Sequence, residues 1–596
     1  MIRGRASFSE CALFYTPSTM RYNKFLLILF FFACLSESIS STTLSRQKAQ
    51  RQAEQLLGKP VTDATMASSL RRLRSSKDKS PGSYLFNAKD GHGFVLLAAE
   101  EELADVLGYS MEHSFPEDGE MPCALALYLE AFRQSTEDYR SGRLQAPSKS
   151  TSVKNTEIIP LCSTTWGQGA PFNALCPKID GRPCPSGCVA TAMAQLMYYW
   201  HWPAQGKGYS WGKAPDGDLC QGTLEHTYNW DAMLPSTWEN LQSPEAAEAV
   251  AVLVYDCGLS VNMTYNADGS GALTPIKALY TYFSYLPAPL RQHFRDCYDK
   301  SGWLELIREE LSQGRVVFHT ARSNINGGQD AMGHAFLVDG MDENDFVHVN
   351  WGWNGDFNGF FNTEKMNPGN HVYTIQQCIT VGIQPNVNDV QGEYPIEYPY
   401  IRAELKCNKN GTINNSVSFN VTYGQISNPN ANTHTWQFTV GLFNTNNEFL
   451  GEVKTGRLPS ITLDPGYYID KENVVTCKLN GGWPDGDYAL RLLFHESGSE
   501  EWLLPDIYGG ITKNAVYVRL SNANVTFTDG RDYIATGIML PSIDTSSVLS
   551  SNLTRVYDTS GRLVYTAPST QFNLWDVPAH GILVVKQGGK SRKVVR

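Results

Sequence analysis

The chain has 596 residues, of which 42% are hydrophobic and 18% are charged, and its formal net charge is −11. The length exceeds that of a single domain and predicts three or four domains. The negative charge argues against a nucleic-acid-binding protein, which would need a basic surface. The 50 glycines and 30 prolines favour many turns and much β structure.

The first segment, 1–40, reads as an N-terminal extension and a signal peptide. Basic residues precede a short apolar run that begins at Phe25, and small residues follow it, which is the pattern of an export signal. The run is too short for a membrane span. We therefore expect a protein without a transmembrane span that is secreted or associated with the outer-membrane surface. A true start at Met20 and lipidation of Cys34 are alternatives that this region leaves open.

Residues 41–152 combine polar helical segments with short strands. The basic run 70–80 suits either proteolytic trimming or a solvated helix face. The stretch 143–157, rich in Ser, Lys and Pro, predicts a linker and a domain boundary. The predicted elements are strands at 84–86 and 94–97, a short acidic helix from Glu100 and a helix at 124–133.

Residues 153–388 read as one mixed domain in which helices come first and strands follow. That order is typical of an α+β domain rather than of a doubly wound sheet. Helices are predicted at Cys188–Trp200, 245–257, 273–283 and 303–312, and strands at 315–321, 334–342 and 345–353.

The C-terminal part changes to β structure. Residues 395–525 alternate in short segments with frequent Asn, Gly and Pro, which predicts an antiparallel β-sandwich of open role. The last segment, 526–596, reads as a small sheet with a basic tail. Thirteen cysteines are scattered along the chain, and because an exported protein permits disulfides, Cys407 and Cys477 could pair.

The predicted helix Cys188–Trp200 carries a cysteine in its first turn. A helix N-terminus presents unpaired N–H groups and a partial positive charge, which favour a thiolate, lower its pKa and can stabilise an oxyanion. Cys188 could nevertheless be a buried thiol, half of a tight disulfide with Cys184, a zinc ligand or a nucleophile. The apolar stripe of the helix comprises Val189, Ala192, Met193, Leu196, Met197 and Trp200.

A base for such a nucleophile is available far downstream, at His334. This residue opens the first strand of a predicted hairpin whose second strand ends in Asn350 and Trp351. The hairpin predicts that His334 and Asn350 are neighbours, with the Asn350 oxygen accepting the imidazole N–H and Trp351 shielding the contact from water. A strand-end histidine bonded to the backbone is the alternative.

The stretches GCVATAMAQLMYYWHWP, GHAFLVDG and HVNWGWNGDFNGFF resemble the signatures of the streptopain family of papain-like cysteine proteases, which includes the interpains. The resemblance extends over residues 158–385. It implies a papain-like catalytic core in which Cys188 is the nucleophile and His334 the acid and base. Residues 166–177 resemble the segment that carries the oxyanion-hole glutamine of the family, which maps to Gln168.

Further positions follow from the same resemblance. The loop 265–273 is similar to the Gly/Ser-rich loop that lines the substrate cleft of the family, and Ser270 is its best match. Gly333 maps to a contact with the substrate backbone. The segment around 83–110 is similar to an inhibitory pro-domain, so 148–157 is the expected maturation region. The last segment is similar to the sorting domains that type IX secretion machinery recognises.

Together these features predict a secreted cysteine endopeptidase made as a zymogen, acting on protein or peptide substrates without a metal or cofactor. The pro-domain would inhibit the enzyme, and the C-terminal domain would engage secretion machinery. A cell-surface binding or adhesion protein with an inactive papain-like core is the alternative, and acyl transfer to an amine is a third possibility. The predicted domains are 1–40, 41–152, 153–388, 395–525 and 526–596.

Overall fold

The computed structural model describes the chain from Thr43 onward, with gaps. The predicted signal peptide, Cys34, the basic run 70–80 and most of the expected maturation region lie outside the described residues. Of the last domain, only the backbone of its strands is described. The described ranges are 43–64, 82–103, 106–116, 121–144, 155–272, 275–287, 289–322, 333–362, 376–389, 397–528 with short gaps, and four strands between 553 and 595.

Four of the described helices begin at a residue whose side chain caps the first turn. The side chains of Ser243 and Asp299 accept backbone N–H groups of the first turns of two helices, and Ser236 and Glu239 form a capping box at a third. None of the described helices is both long and apolar enough to cross a membrane. The described α-helices are α1 (Arg46–Leu57), α2 (Cys123–Arg140), α3 (Cys188–Trp200), α4 (Thr237–Gln242), α5 (Pro244–Ser260), α6 (Ile276–Tyr282) and α7 (Lys300–Ser312).

Ten of the described strands form one antiparallel sheet that joins the N-terminal part of the chain to the region 153–388. Its strand order is β1-β2-β3-β4-β13-β12-β11-β10-β14-β9, and β5 with β6 and β7 with β8 form separate hairpins. The strands are β1 (Val61–Asp63), β2 (Ser83–Ala88), β3 (Phe94–Ala98), β4 (Val106–Ser110), β5 (Lys178–Ile179), β6 (Arg182–Pro183), β7 (Tyr209–Lys213), β8 (Leu219–Thr223), β9 (Arg291–Phe294), β10 (Val317–Arg322), β11 (Gly333–Met341), β12 (Val347–Asn350), β13 (Gly359–Phe361) and β14 (Gln376–Val381).

Strand β11 lies at the centre of the fold because its two faces are buried in different clusters. Ala335 and Leu337 pack in the cluster that contains α3, whereas Phe336 and Val338 pack with residues of α2 and α7. This alternation is what the two-residue repeat of a strand produces. The sheet therefore carries helices on both faces, and the predicted α+β architecture is confirmed.

The region after residue 397 is a β-sandwich, as the alternating sequence predicts. A large antiparallel sheet runs in the order β17-β28-β27-β25-β20-β21 with β22 beside β20, and β16-β18-β24 packs against it over a shared apolar core. Its strands are β15 (Tyr400–Ile401), β16 (Lys406–Cys407), β17 (Gly411–Asn414), β18 (Val417–Tyr423), β19 (Ile426–Ser427), β20 (His434–Asn444), β21 (Phe449–Glu452), β22 (Ser460–Leu463), β23 (Tyr468–Ile469), β24 (Asn473–Leu479), β25 (Gly486–Glu496), β26 (Asp506–Ile507), β27 (Val516–Ser521) and β28 (Asn524–Thr528).

The last domain contributes four described strands, ordered β30-β29-β31-β32, which agree with a small sheet. The exact domain boundaries given above stay predictions. The four strands are β29 (Leu553–Tyr557), β30 (Leu563–Pro568), β31 (Ile582–Gln587) and β32 (Lys590–Val595).

Two predictions about local structure are wrong. Glu100 begins a turn rather than an acidic helix, and the chain then enters β4, whose pairing with β3 and β13 outweighs the helical preference of the acidic residues. Cys407 and Cys477 are both free thiols. They lie on β16 and β24, on opposite sides of β18, so two strand spacings separate them, about 10 Å, which exceeds disulfide reach.

Candidate active site

Helix α3 presents Cys188 at its N-terminus, as the sequence predicts. The preceding residue, Gly187, has φ 89°, and a Cβ atom there would lie 2.8 Å from the sulfur of Met263 and 3.0 Å from the carbonyl oxygen of Ser270. Only glycine fits both this conformation and this space. The turn therefore fixes where the helix begins and places a half-buried Cys188 in its first turn.

Cys188 lies against the start of β11. Burial raises the pKa of its thiol, while backbone N–H groups of Ala335, Val189 and Cys188 itself act in the opposite direction. The sequence predicts that the helix N-terminus lowers this pKa, and in this form of the protein desolvation outweighs that effect. Because Ala335 follows His334 directly, the arrangement brings the nucleophile candidate next to the base candidate in the fold.

His334 is buried and pairs across the sheet with Ala321 of β10. Its Nε2 lies 2.9 Å from the carbonyl oxygen of Trp351, and since a carbonyl can only accept, Nε2 must carry the proton. Burial lowers the pKa of His334 to about 4, with the Trp351 contact acting in the opposite direction. The imidazole is therefore neutral at pH 7, and its Nδ1 has a lone pair available to accept a proton.

The acceptor for His334 differs from the predicted one. Asn350 lies opposite Leu337 in the hairpin, not opposite His334. Its Oδ1 accepts the N–H of Gly352 at 3.1 Å, and its Nδ2 donates to the carbonyl oxygen of Thr164 at 2.7 Å. Asn350 therefore anchors the backbone on either side of Trp351, and the Trp351 carbonyl takes the part that the sequence assigns to the Asn350 side chain.

Trp351 is fully buried beside the His334 ring. The two rings are stacked, with centroids 6.3 Å apart and planes inclined by 22°. Its indole N–H donates to the carbonyl oxygen of Phe357 at 3.1 Å, and its backbone N–H donates to Asn358 at 2.9 Å. Trp351 thus shields one side of the imidazole from water.

Gln168 lies beside the turn that precedes Cys188. The N–H of Ser186 donates to the backbone carbonyl of Gln168 at 3.0 Å, and Gln168 itself is half-buried. The same segment is held from the other side, because the N–H of Asn354 donates to the carbonyl oxygen of Trp166 at 3.2 Å. The structure therefore brings the oxyanion-hole candidate and the nucleophile candidate to one end of α3.

Ser270 and Gly333 occupy different surroundings. Ser270 is buried, and its hydroxyl donates to the carbonyl oxygen of Pro185 at 2.7 Å, so it ties its own loop to the turn before α3. Gly333 is exposed at the first position of β11, opposite Arg322. Its contact with a substrate backbone stays a prediction.

The N-terminal domain reaches this site with two segments. The carbonyl oxygen of Ser114 accepts the N–H of Phe357 at 3.3 Å, and Phe115 packs edge-on against the Phe357 ring, so the domain holds the loop that follows Trp351. Cys123 begins α2, where burial and, secondly, the proximity of Cys188 raise the pKa of its thiol to about 12. The sequence did not single out Cys123.

Gln195 was also missed by the sequence reasoning. It is a fully buried amide on α3 that bonds to Trp166 and Asn350. The signal was present, because a polar residue stands within an otherwise apolar stretch of helix, seven positions after Cys188. As to metals, the described residues contain no group of three or more His, Cys, Asp or Glu side chains that could hold an ion.

Comparison with known proteins finds two family models that match parts of this chain. A family model described as the peptidase C10 family matches residues 166–361, and one described as Spi protease inhibitor matches residues 41–136. A fragment of prointerpain A from Prevotella intermedia is 29% identical, covers 53% of this chain and 98% of the fragment, and has a TM-score of 0.44.

Two curated relatives have the same level of identity but different coverage. The thiol protease/hemagglutinin PrtT of Porphyromonas gingivalis is 30% identical over 384 residues, which are 59% of this chain and 43% of PrtT. The chain thus spans less than half the length of that relative. Streptopain of Streptococcus pyogenes is 30% identical over 331 residues, which are 51% of this chain and 80% of streptopain. With four fifths of streptopain matched at this identity, the chain belongs to the peptidase C10 family.

Proposed function

We propose that the protein is a cysteine endopeptidase made as a zymogen. The observation that carries the proposal is the junction of α3 and β11. There, Cys188 lies against Ala335, and the neighbouring His334 has Nε2 bound to the Trp351 carbonyl and Nδ1 left as an acceptor. A thiol at a helix N-terminus beside an imidazole of fixed tautomer is the arrangement that nucleophilic catalysis by cysteine requires.

The proposed reaction is hydrolysis of a peptide bond through an acyl-enzyme. The Cys188 thiol transfers its proton to Nδ1 of His334, and the sulfur attacks the peptide carbonyl carbon. The oxyanion is stabilised by the Cys188 backbone N–H and the Gln168 side-chain amide. His334 then protonates the leaving amine, and water, deprotonated by His334, hydrolyses the thioester. The Trp351 carbonyl stabilises the imidazolium, while Asn350 positions Trp351; Ser270 and Gly333 are the proposed substrate contacts.

Latency is proposed to come from the N-terminal domain. The segment around Ser114 and the start of α2 contact the site, and burial keeps Cys188 as a thiol and His334 neutral. Removing this domain returns water to the site and exposes the N-terminus of α3, which favours the thiolate–imidazolium pair. Proteolysis within 148–157 is the proposed activating step, and the separated domain is the enzyme's own inhibitor.

The decisive experiment compares two cysteine variants of the full chain. Each is incubated with reductant at neutral pH, and casein cleavage and the new N-terminus are measured. We expect Cys188→Ala to remain uncleaved and inactive, whereas Cys184→Ala, which removes a buried thiol four residues earlier, matures and cleaves casein. Cleavage by Cys188→Ala at the wild-type rate would contradict the proposal.

Two other functions would give different results in the same preparation. An adhesion protein with an inactive core would fold and show no labelling of Cys188 by an epoxide thiol inhibitor after removal of the N-terminal domain. An acyltransferase would release an amide of the added amine rather than a free carboxylate. Cys, His, Gln and Trp are all present together with the N-terminal inhibitor domain, which favours a peptidase.

The proposal extends to the destination of the protein. The basic, apolar and small-residue order of the first forty residues supports export. The short sheet that ends the chain supports recognition by type IX secretion machinery, which would leave the enzyme secreted or at the outer-membrane surface. Deleting 526–596 should then retain the protein in the periplasm, measured by fractionation of the producing cell.

A further inference from the structure

Gln195 is a polar side chain inside α3 that none of the chemical steps above employs. It lies seven residues after Cys188, so the two residues share one face of the helix, two turns or about 10 Å apart. Its side chain is fully buried. Because a buried amide is stable only when its hydrogen bonds are made, its partners identify the segments that it holds together.

Those partners belong to two other parts of the active site. The Gln195 Oε1 atom accepts the backbone N–H of Trp166 at 3.2 Å and the side-chain Nδ2 of Asn350 at 3.1 Å. The Gln195 Nε2 atom donates to the Oδ1 atom of Asn350 at 3.3 Å. The two amide groups thus form a reciprocal pair, which fixes the orientation of each.

Each partner leads directly to a group of the proposed mechanism. Asn350 also accepts the N–H of Gly352, so both neighbours of Trp351 are anchored, and the Trp351 carbonyl holds His334. Trp166 precedes Gln168 by two residues. A single amide on the nucleophile helix is therefore bonded to the segment that holds the base and to the segment that carries the oxyanion-hole candidate.

We propose that Gln195 is a positioning residue of the active site, which fixes the Trp351 carbonyl and the Gln168 segment relative to Cys188. The inference rests on the proposed function, because it assigns Gln195 a part in the same reaction. An apolar side chain of similar size would fill the same space without these hydrogen bonds. Packing alone and positioning therefore predict different results for such a substitution.

The test compares Gln195→Met and Gln195→Glu in the matured enzyme. Methionine keeps the length of the side chain but makes no amide hydrogen bonds, so we expect kcat to fall about 10- to 100-fold with KM within about 2-fold of wild type. We also expect the acidic limb of kcat/KM against pH to move, because the environment of His334 changes. Glutamate accepts both bonds when ionised and can donate to Asn350 only when protonated, so its activity relative to wild type should rise as pH falls.

The matched control is Met193→Leu, another fully buried position of α3. It should lower the unfolding midpoint without changing the pH profile. A folded Gln195→Met enzyme with wild-type kcat and pH profile would overturn the inference. The inference would also be overturned if Met193→Leu, at the same stability, lost as much kcat as Gln195→Met and neither variant shifted the pH profile.

A second measurement, the alkylation of Cys188, does not depend on peptidase activity. In the same preparations, the rate at which iodoacetamide alkylates Cys188 is measured against pH by mass mapping. Wild-type protein that alkylates as a His-coupled thiol but cleaves no peptide would contradict the proposed function. An alkylation profile of Gln195→Met identical to that of wild type would contradict the positioning role.

Discussion

At the scale of single residues, burial governs ionisation in the zymogen. Desolvation raises the pKa of the Cys188 thiol and lowers the pKa of His334 to about 4 and of His319 to about 3. His319 is buried on β10, where its ring stacks on Phe336 at a centroid distance of 4.4 Å. Both histidines are neutral in the folded protein, so protonation favours the unfolded chain.

The first prediction follows from the sign of these shifts. Below pH 6.5 the unfolded chain binds a proton at His319 that the folded protein does not bind. The contribution of His319 to the free energy of unfolding is therefore complete above pH 6.5 and is lost as the pH falls towards 3. At 1.36 kcal/mol per pKa unit, lowering the pH from 7 to 5 costs about 2 kcal/mol for each such histidine. In an inactive Cys188→Ala background, His319→Phe should remove about that much of the pH dependence, measured by urea unfolding at both pH values.

A buried residue without a titratable group serves as the control for that measurement. Phe318→Leu, next to His319 on β10, should leave the difference between pH 7 and pH 5 as it is in the parent protein. If His319→Phe and the parent lost equal unfolding free energy on acidification, burial would not be what holds His319 neutral.

At the scale of elements, the sequence predicted the features that local residue patterns determine and missed the features that strand pairing determines. The bounds of α3 were predicted because Gly187 and Pro203 punctuate a periodic apolar stripe. The helix expected from Glu100 failed because β4 pairs with two other strands. The neighbour of His334 was misassigned because the register places Asn350 opposite Leu337, and the chain then turns at Gly352 to present the Trp351 carbonyl.

The junction of β4 with β13 is the element-scale feature that joins the inhibitor domain to the catalytic region. Gly108 pairs with Phe361, and Tyr109 pairs with Phe360 and donates its hydroxyl to Asp342 at 2.8 Å. A Cβ atom on Gly108 would lie 2.7 Å from the Phe361 ring and 3.1 Å from the Phe360 carbonyl. No side chain fits there unless the two strands separate.

We therefore predict that Gly108→Ala weakens docking of the inhibitor domain. Overpacking of this kind costs about 1–3 kcal/mol, so the zymogen should mature several-fold faster, measured by the decay of the full-length band under reductant. Lys89→Ala, on an exposed turn of the same domain, should mature at the wild-type rate. A Gly108→Ala zymogen that matures no faster than this control would mean that the β4–β13 junction does not limit activation.

At the scale of the whole molecule, the β-sandwich is joined to the catalytic region by buried polar contacts. Arg291, on edge strand β9, bonds Asp506 of β26 at 3.1 Å and lies over the Tyr398 ring at 3.8 Å. Nearby, Tyr400 donates its hydroxyl to Asp296, whose backbone carbonyl accepts the N–H of Gly509. Contacts of this kind fix the orientation of the sandwich relative to the catalytic region.

The last prediction concerns the ion pair at this junction. Burial raises the pKa of Asp506 while the Arg291 charge acts in the opposite direction, so the carboxylate depends on its partner. Removing one member of a buried pair leaves the other charge uncompensated and costs about 3–5 kcal/mol, whereas replacing both by apolar groups is often nearly neutral. In the Cys188→Ala background, Asp506→Ala should therefore lower the unfolding free energy of the catalytic region by that amount, and Arg291→Met with Asp506→Leu should restore most of it.

The comparison needs an ion pair that is not buried. Lys513 and Glu404 are 2.7 Å apart with about half of each side chain exposed, so Lys513→Ala should cost less than about 1 kcal/mol. Equal effects of Asp506→Ala and Lys513→Ala on urea unfolding would show that the domains are not coupled through Arg291. The same conclusion would follow if Asp506→Ala lowered the unfolding free energy of the sandwich alone. Coupled domains require that the change in the sandwich also destabilises the catalytic sheet.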